Sequence, residues 1–310
     1  MVYSKQNKLY GLDKHILQIV DLYEKNKLPN KILLSGKKGV GKSTLSYHLI
    51  NYIFSKNEEY KYDLENLTFN EKNKSFKLIN NNSHPNFYLI DLKEDKKNID
   101  INQIRQMITY SQKSTFNNRP RFILIDNIEY LNINSVNALL KIIEEPADNI
   151  FFILIHNNSK NVLSTLKSRC LTFKIDLSFD ETIKITNLIL KENLFDLINT
   201  DLINYYNSPG DFVKLVNFAN DKKINLKKIT LVNLLSYLIE NSFYKKDQIT
   251  KNLIISYFEL YLFNLYKTSN NKNNILIVYN YFLKKIENVS KFNLDDESLF
   301  MEFKSKVLNG

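Results

Sequence analysis

The sequence predicts an α/β fold with a parallel sheet, followed by a region built only of helices. Three observations support this prediction. A glycine-rich segment, Gly36–Ser43, joins the apolar run at 32–34 to a helical pattern. Apolar runs without alternation, typical of strands covered by helices on both faces, recur up to about residue 175. Beyond about residue 177, only helical spacing recurs.

The glycine-rich segment has the composition of a phosphate-binding P-loop, the Walker A motif. Its glycines let backbone N–H groups turn toward a phosphate chain, Lys42 can reach the β and γ phosphates, and Ser43 can hold Mg²⁺. An ordinary turn would explain neither the Lys-Ser ending nor the clustering of half of the six glycines. The predicted nucleotide-binding residues are Gly36, Lys37, Lys38, Gly39, Val40, Gly41, Lys42, Ser43 and Thr44.

The elements around the loop follow in order along the chain. Residues 12–26 have helical spacing, and Pro29 separates this helix from the first strand. Residues 56–83 are dominated by Lys, Glu and Asn and predict a surface excursion. The core resumes with a short strand at 87–92, and 101–112 predicts a helix.

Two buried strands follow at 122–125 and 151–155, with a helix over about 134–145 between them. Residues 171–175 are the last predicted strand. Asp126 ends the first of these runs, where it can orient the water shell of Mg²⁺ as a Walker B acid. Ser43 and Asp126 are therefore the predicted magnesium residues.

The helical region carries helical spacing in five stretches. Aromatic side chains at 257–266 follow this spacing, which favours a core between helices over a surface for stacking bases. The five predicted helices lie at 179–190, 211–219, 230–240, 251–266 and 275–286.

Composition bounds the function classes. The net charge of +10 favours an anionic partner such as nucleic acid, although an excess of lysine alongside Asn and Ile is also typical of a compositional bias. No run of about 18 apolar residues and no signal-peptide core are present, so we expect a cytoplasmic protein with no membrane contact. Cys170 is the single cysteine, so no disulfide and no cysteine-built zinc site are expected.

Two further motifs carry a family resemblance. Residues 137–146 read NALLKIIEEP, which resembles the NALLKxxEEP signature of bacterial clamp-loader AAA+ subunits. The triplet Ser168-Arg169-Cys170 resembles the second signature of that family. With the P-loop and Asp126, these motifs come in the family's order over roughly residues 8–176. The resemblance implies an AAA+ nucleotide-binding domain over 1–176, a helical lid domain over 177–222 and a helical collar domain over 223–310.

Within this family the chain is more similar to the delta-prime type than to the gamma/tau motor type. Gamma/tau-like chains carry four zinc-binding cysteines after the P-loop helix and a Glu directly after the Walker B Asp, whereas this chain has no such cysteines and has Asn127. An amide cannot act as a general base. The resemblance therefore implies that ATP or ADP with Mg²⁺ is bound and argues against efficient hydrolysis. A catalytically active gamma/tau-like motor and a P-loop kinase for small molecules remain the alternatives.

The resemblance also implies roles for single residues. Arg169 corresponds to the arginine finger that reaches the ATP of a neighbouring subunit, a local ion pair being the alternative. Asn157 is the candidate for the sensor 1 residue, and Cys170 is expected to be a small buried residue behind the arginine. Asp211 stands where relatives often have the sensor 2 arginine. Glu144 is expected to end a helix with its side chain solvated or paired with lysines.

The partners implied by the resemblance are those of a replication complex. They are the gamma/tau and delta clamp-loader subunits, the β sliding clamp, and primer-template DNA reached through the complex. The chain would thus be one member of a hetero-oligomer within the DNA polymerase III holoenzyme.

Overall fold

A computed structural model of the chain divides into two compact units. The first comprises Met1–Ile189 and Ser208–Asp211, and the second comprises Leu190–Asn207 and Phe212–Gly310. Residues described by the structure are 6–93, 96–113, 119–145, 149–162, 164–246, 248–292 and 294–309.

The first unit is built on a five-stranded parallel sheet with the strand order β2-β3-β4-β1-β5. The predicted parallel sheet is thus confirmed. In β1, Leu33 lies between Leu154 of β4 and Thr172 of β5. The strands are β1 (Lys31–Gly36), β2 (Phe87–Ile90), β3 (Arg121–Ile125), β4 (Ile150–His156) and β5 (Leu171–Ile175).

Helices cover both faces of this sheet, which explains why its strands are apolar throughout. On one face, Leu34 joins a core with Ile16 and Leu45. On the other face, the neighbouring Leu33 joins a core with Met107 and Leu139. The helices are α1 (Asp13–Glu24), α2 (Lys42–Ser55), α3 (Lys74–Asn80), α4 (Ile101–Gln112), α5 (Ile133–Glu144), α6 (Ser164–Lys167) and α7 (Phe179–Leu190).

Helix α4 shows how local sequence sets an element's ends. Asp100 accepts hydrogen bonds from the backbone N–H of Asn102 and Gln103, and the Gln103 side chain accepts the N–H of Asp100 at 3.2 Å. This capping box satisfies N–H groups that the helix leaves without partners. At the other end, the buried guanidinium of Arg121 donates to the carbonyl of Lys113 at 2.6 Å, just past the last turn.

The stretch at 56–83 packs more closely than the predicted surface excursion. Tyr62 and Phe69 are buried in the core beside α2. His48 of α2 lies 2.8 Å from the Tyr62 hydroxyl through Nδ1 and stacks on Phe69. Glu58 accepts hydrogen bonds from the first turn of α3, including the N–H of Lys74 at 3.0 Å. The prediction was wrong here because a few aromatic side chains of this segment are buried in the core. They are spaced without a regular period among polar residues, so the sequence pattern did not indicate their burial.

The second unit is helical throughout its described residues. Its core is aromatic: the ring of Phe258 stacks on that of Phe303, and Tyr257 is fully buried beside it. The predicted helix core is therefore confirmed for these side chains, whereas Phe263 is 43% exposed. The helices are α8 (Leu194–Leu197), α9 (Pro209–Lys222, which begins in the first unit), α10 (Leu231–Glu240), α11 (Gln248–Thr268), α12 (Lys272–Phe292) and α13 (Asp296–Phe303). Among the described residues, no helix is both long and apolar enough to cross a membrane.

Two histidines of the first unit are buried in the neutral form. Burial lowers the pKa of both His48 and His84 to about 4. The ring of His84 lies parallel to that of Phe54, with centroids 4.1 Å apart. In the unfolded chain each imidazole titrates near pH 6.5. Below that pH the unfolded state binds protons that the folded state does not, so the stability of the fold decreases as the pH falls from about 6.5 toward 4.

We expect each of these histidines to remove about 2 kcal/mol from the free energy of unfolding between pH 7 and pH 5. Urea unfolding followed by circular dichroism at both pH values measures the total loss. In His84→Phe, which keeps a ring stacked on Phe54, that loss should shrink by about 2 kcal/mol. An undiminished loss in this variant would show that His84 does not contribute.

Candidate functional site

The predicted nucleotide-site residues gather at one edge of the sheet. Because the strands are parallel, their carboxyl ends lie at the same edge, where the P-loop follows β1 and Asp126 follows β3. Asn157 follows β4, which pairs with both of those strands. The structure therefore brings together the predicted Walker A, Walker B and sensor 1 positions.

The P-loop takes a conformation that depends on two of its glycines. Gly39 and Gly41 have φ values of 84° and 96°, in the left-handed region that side chains disfavour. Directly after Gly41, α2 begins at Lys42, and the first backbone N–H groups of a helix lack partners within it. A helix N-terminus behind a glycine loop is a site that favours phosphate groups, so the backbone fits the predicted ligand.

Lys42 lies at the base of this loop and is buried. Its Nζ donates hydrogen bonds to the carbonyl oxygens of Gly36 at 2.8 Å and Lys37 at 2.5 Å. Burial lowers the pKa of Lys42 to about 8, and the negative charges of Asp126 and Glu129 partly oppose this effect. A cation removed from water in this way gains from a nearby anion, as a phosphate would supply.

Asp126, Asn127 and Asp91 form the centre of the site. Asn127 has φ 58°, and its side-chain Nδ2 donates to Asp91 Oδ1 at 2.6 Å. Its backbone N–H donates to Asp126 Oδ1 at 2.7 Å. Burial raises the pKa of Asp126 to about 6, and the charge of Asp91 raises it further. Asn127 thus joins two carboxylates at the ends of neighbouring strands.

Asn157 completes this network from the end of β4. Its Nδ2 donates to Asn127 Oδ1 at 2.9 Å and lies 3.5 Å from Asp126 Oδ1. The amide of Asn127 therefore accepts from Asn157 and donates to Asp91. An amide whose nitrogen and oxygen are both hydrogen-bonded can couple the positions of the strand ends that it joins. It cannot take a proton from water.

Sequence reasoning missed Glu129, which also belongs to this edge. The residue lies in a single 3-10 turn, Ile128–Tyr130, and is buried. Its carboxylate accepts hydrogen bonds from the Ser159 hydroxyl at 2.8 Å and from the backbone N–H of Asn157 at 3.3 Å. The available signal was an acid three residues after Asp126, in a segment too short for periodicity to place it.

His156 proves to be a structural histidine. It is buried, with Nδ1 3.3 Å from the Ser35 hydroxyl and Nε2 2.9 Å from the carbonyl oxygen of Lys160. Both ring nitrogens therefore have partners, one on β1 and one in the loop that carries Asn157.

A turn at 208–210 touches the P-loop within the first unit. The N–H of Gly210 donates to the carbonyl oxygen of Gly39 at 3.0 Å. A Cβ added at Gly210 would lie 2.8 Å from the Cα of Gly39. Asp211 Oδ2 accepts from the N–H and hydroxyl of Ser208, at 3.0 and 2.7 Å. Asp211, at the position of the family's sensor 2 arginine, therefore caps α9.

Arg169 lies at the opposite edge of the sheet. It comes just before β5, so the length of that strand, about 3.3 Å per residue over five residues, separates it from the edge with the P-loop. Its Nη2 and Nε contact Glu144 Oε1 at 2.7 and 2.9 Å, and its Nη1 donates to the carbonyl of Thr165 at 2.8 Å. As expected, Glu144 ends α5 with a side chain that is partly solvated, but its ionic partner is Arg169 and not a lysine.

Ser168 and Cys170 flank Arg169 in the sequence. Cys170 is half-buried, and burial raises the pKa of its thiol to about 11, which argues against a nucleophilic role. The hydroxyl of Ser168 donates to the carbonyl of Thr165 at 3.1 Å. Pro146, at the end of the NALLKIIEEP segment, lies outside the described residues.

The chain is similar to known proteins over most of its length. A family model described as "DNA polymerase III, delta subunit" matches residues 11–178. DNA polymerase III subunit delta' from Buchnera aphidicola subsp. Schizaphis graminum is 30% identical over 295 residues, covering 90% of this chain and 85% of the relative. The chain belongs to the DNA polymerase III delta-prime family.

The chain is also similar to another DNA polymerase III subunit and, in fold, to a solved structure. DNA polymerase III subunit gamma from the same Buchnera subspecies is 31% identical over 232 residues, covering 72% of this chain and 61% of the relative. A gamma subunit-related protein of Thermotoga maritima has a similar fold, with a TM-score of 0.53, 18% identity, and coverage of 93% of this chain and 97% of that one. The delta-prime relative is covered over 85% of its length and the gamma relative over 61%, and the family model matches residues 11–178, so the gamma/tau-like and small-molecule kinase alternatives are not favoured.

We expect Lys42→Ala to weaken the binding of ATP and ADP about 10- to 100-fold, because a charged hydrogen bond contributes about 1.5–3 kcal/mol. Titration with a fluorescent ATP analogue measures the affinity. Lys77→Ala is the control, since it removes an equal charge from an exposed side chain of α3 that was not predicted to bind nucleotide. Equal affinities of the two variants would show that the buried ammonium does not contact the phosphates.

Proposed function

We propose that this chain works as a delta-prime subunit of the DNA polymerase III clamp loader. In this role it assembles with gamma/tau and delta subunits into a cytoplasmic hetero-oligomer that places the β sliding clamp on primed DNA. The observation that carries the proposal is the combination of an intact P-loop beside Asn127 at one sheet edge and Arg169 at the other. A domain plan of 1–176, 177–222 and 223–310 belongs to the same proposal, the last part serving assembly.

The P-loop edge is proposed to hold ATP or ADP with Mg²⁺. Lys42 and the N–H groups of the loop would bind the phosphates, while Ser43 and Asp126 would hold the metal and its waters. The metal would neutralise phosphate charge when bound. Asn127 supplies no general base, and Asp211 supplies no positive charge where a sensor 2 arginine would act. Both features support nucleotide binding that fixes the shape of the subunit, with slow turnover.

Arg169 is proposed to act on the ATP of a neighbouring subunit. Its side chain cannot reach this chain's own P-loop across the sheet, so a phosphate that it contacts belongs to another molecule. A planar, permanently charged guanidinium stabilises the charge that develops on the oxygens of a phosphoryl group in transfer. This chain would then contribute to hydrolysis without carrying it out.

We expect the purified chain alone to hydrolyse ATP far more slowly than an active motor subunit, because the residue directly after Asp126 is Asn127 and not a glutamate. Steady-state phosphate release, with Lys42→Ala as the background control, measures this rate. A turnover comparable to that of a motor subunit, abolished by Lys42→Ala, would establish the gamma/tau-like alternative instead.

We expect Arg169→Ala to reduce ATP hydrolysis at the neighbouring site by about 10³-fold or more, the range known for arginine fingers. The measurement is the ATPase activity of the reconstituted complex, stimulated by clamp and primed DNA. Arg105→Ala, which removes an exposed arginine from α4, serves as control. Unchanged stimulated activity in Arg169→Ala would mean that Arg169 is not a finger.

A further inference from the structure

Glu144 occupies a position that helix stability alone does not explain. It is the last residue of α5, and a carboxylate at a helix C-terminus faces the negative end of the helix dipole. Its side chain turns instead to Arg169 and binds it through one carboxylate oxygen. The location of this acid is therefore better explained by what it does to the arginine.

The contacts of Arg169 leave part of its guanidinium available. Three of the five N–H groups of an arginine side chain are used here: Nε and one on Nη2 point to Glu144, and one on Nη1 points to Thr165. One N–H on each Nη remains outside these bonds. Terminal N–H groups of a guanidinium can donate charge-assisted hydrogen bonds to phosphate oxygens.

The segments around the Glu144–Arg169 pair are held in place by contacts of their own. Thr165 belongs to α6, which precedes the arginine, and Leu166 of the same helix is fully buried in the sheet core. Lys31, the first residue of β1, extends its Nζ to within 3.5 Å of the carbonyl oxygen of Glu144. The end of α5 and α6 thus hold the guanidinium directly, while the start of β1 contacts the end of α5.

We propose that Glu144 is a positioning residue, which orients Arg169 so that its two terminal N–H groups face the phosphates of a neighbouring subunit. This inference rests on the proposed finger role of Arg169. The side chains of the pair are 36% and 49% exposed, and an ion pair so open to water adds little to stability. The ion pair instead holds the flexible Arg169 side chain in one geometry before the neighbouring subunit binds. This lowers the entropic cost of ordering Arg169 in the reacting complex.

The test compares two changes at Glu144 with one at its neighbour. Glu144→Ala removes the contact, and Glu144→Gln keeps an oxygen that accepts both N–H groups. Glu145→Ala is the matched control, because it removes an equal charge from the adjacent exposed residue, which has no ion pair among the described residues. Each variant is reconstituted with the partner subunits, and kcat and KM for ATP are measured with clamp and primed DNA.

We expect Glu144→Ala to lower kcat about tenfold with KM unchanged, since small misplacements of a catalytic group carry costs of this size. Glu144→Gln should lie within about threefold of the wild type, and Glu145→Ala should match it. In the double variant Arg169→Ala/Glu144→Ala, kcat should equal that of Arg169→Ala, because Glu144 acts only through the arginine.

The outcomes separate this inference from the proposed function. If Arg169→Ala lowers kcat while Glu144→Ala behaves as the control, the finger stands and the positioning role is wrong. If Glu144→Ala raises kcat, the glutamate restrains the arginine, which also overturns the inference. If Arg169→Ala has no effect, both proposals fail. A further fall on adding Glu144→Ala to Arg169→Ala would show that the glutamate acts independently.

Discussion

The shared direction of the five strands is the constraint on which this molecule depends. Parallel strands give a sheet two chemically different edges, one made of carboxyl ends and one of amino ends. In this chain the P-loop, Asp126 and Asn157 follow strands, whereas Glu144 and Arg169 precede them. One backbone rule thus separates the group that binds a nucleotide from the cation proposed to act on one. Reversing β1 or β5 alone would bring the P-loop and Arg169 to the same edge.

The polar network at the carboxyl edge links the sheet to the P-loop. Asp91, Asn127 and Asn157 come from the ends of three adjacent strands, and each contacts the next through side chains. Burial raises the pKa of Asp91 and of Asp126, so added negative charge at this edge is unfavourable and a cation is favourable. Asn127 between them carries no charge. The edge is suited to holding a charged ligand in one arrangement, which agrees with a subunit whose nucleotide has a structural role.

The sequence was sufficient for the sheet, the P-loop and the Walker B position, because these depend on apolar runs and on spacing along the chain. It was insufficient for Asp91 and Glu129, which join the site only through strand order and a single 3-10 turn. Nor did periodicity predict α3, whose first turn is capped by Asn73 and also donates hydrogen bonds to the distant acid Glu58. The pairing of Glu144 with Arg169 spans 25 residues, and no local pattern specifies a contact of that kind. What escaped prediction at the site is therefore long-range and polar.

The contact between Gly39 and Gly210 has a consequence for how such a sequence can change over time. The chain has only six glycines and is rich in Lys, Asn and Ile, so its composition differs from that of an average globular protein. Two of those glycines nevertheless face each other, with their backbones in hydrogen-bonding contact. A Cβ at Gly210 would lie 2.8 Å from Gly39 Cα, and a Cβ at Gly39 would clash with Ser208 Oγ, so enlarging either residue would displace the turn from the loop. We expect both positions to remain glycine in any descendant sequence that keeps the turn at 208–210 in contact with the P-loop, however far the remaining surface diverges.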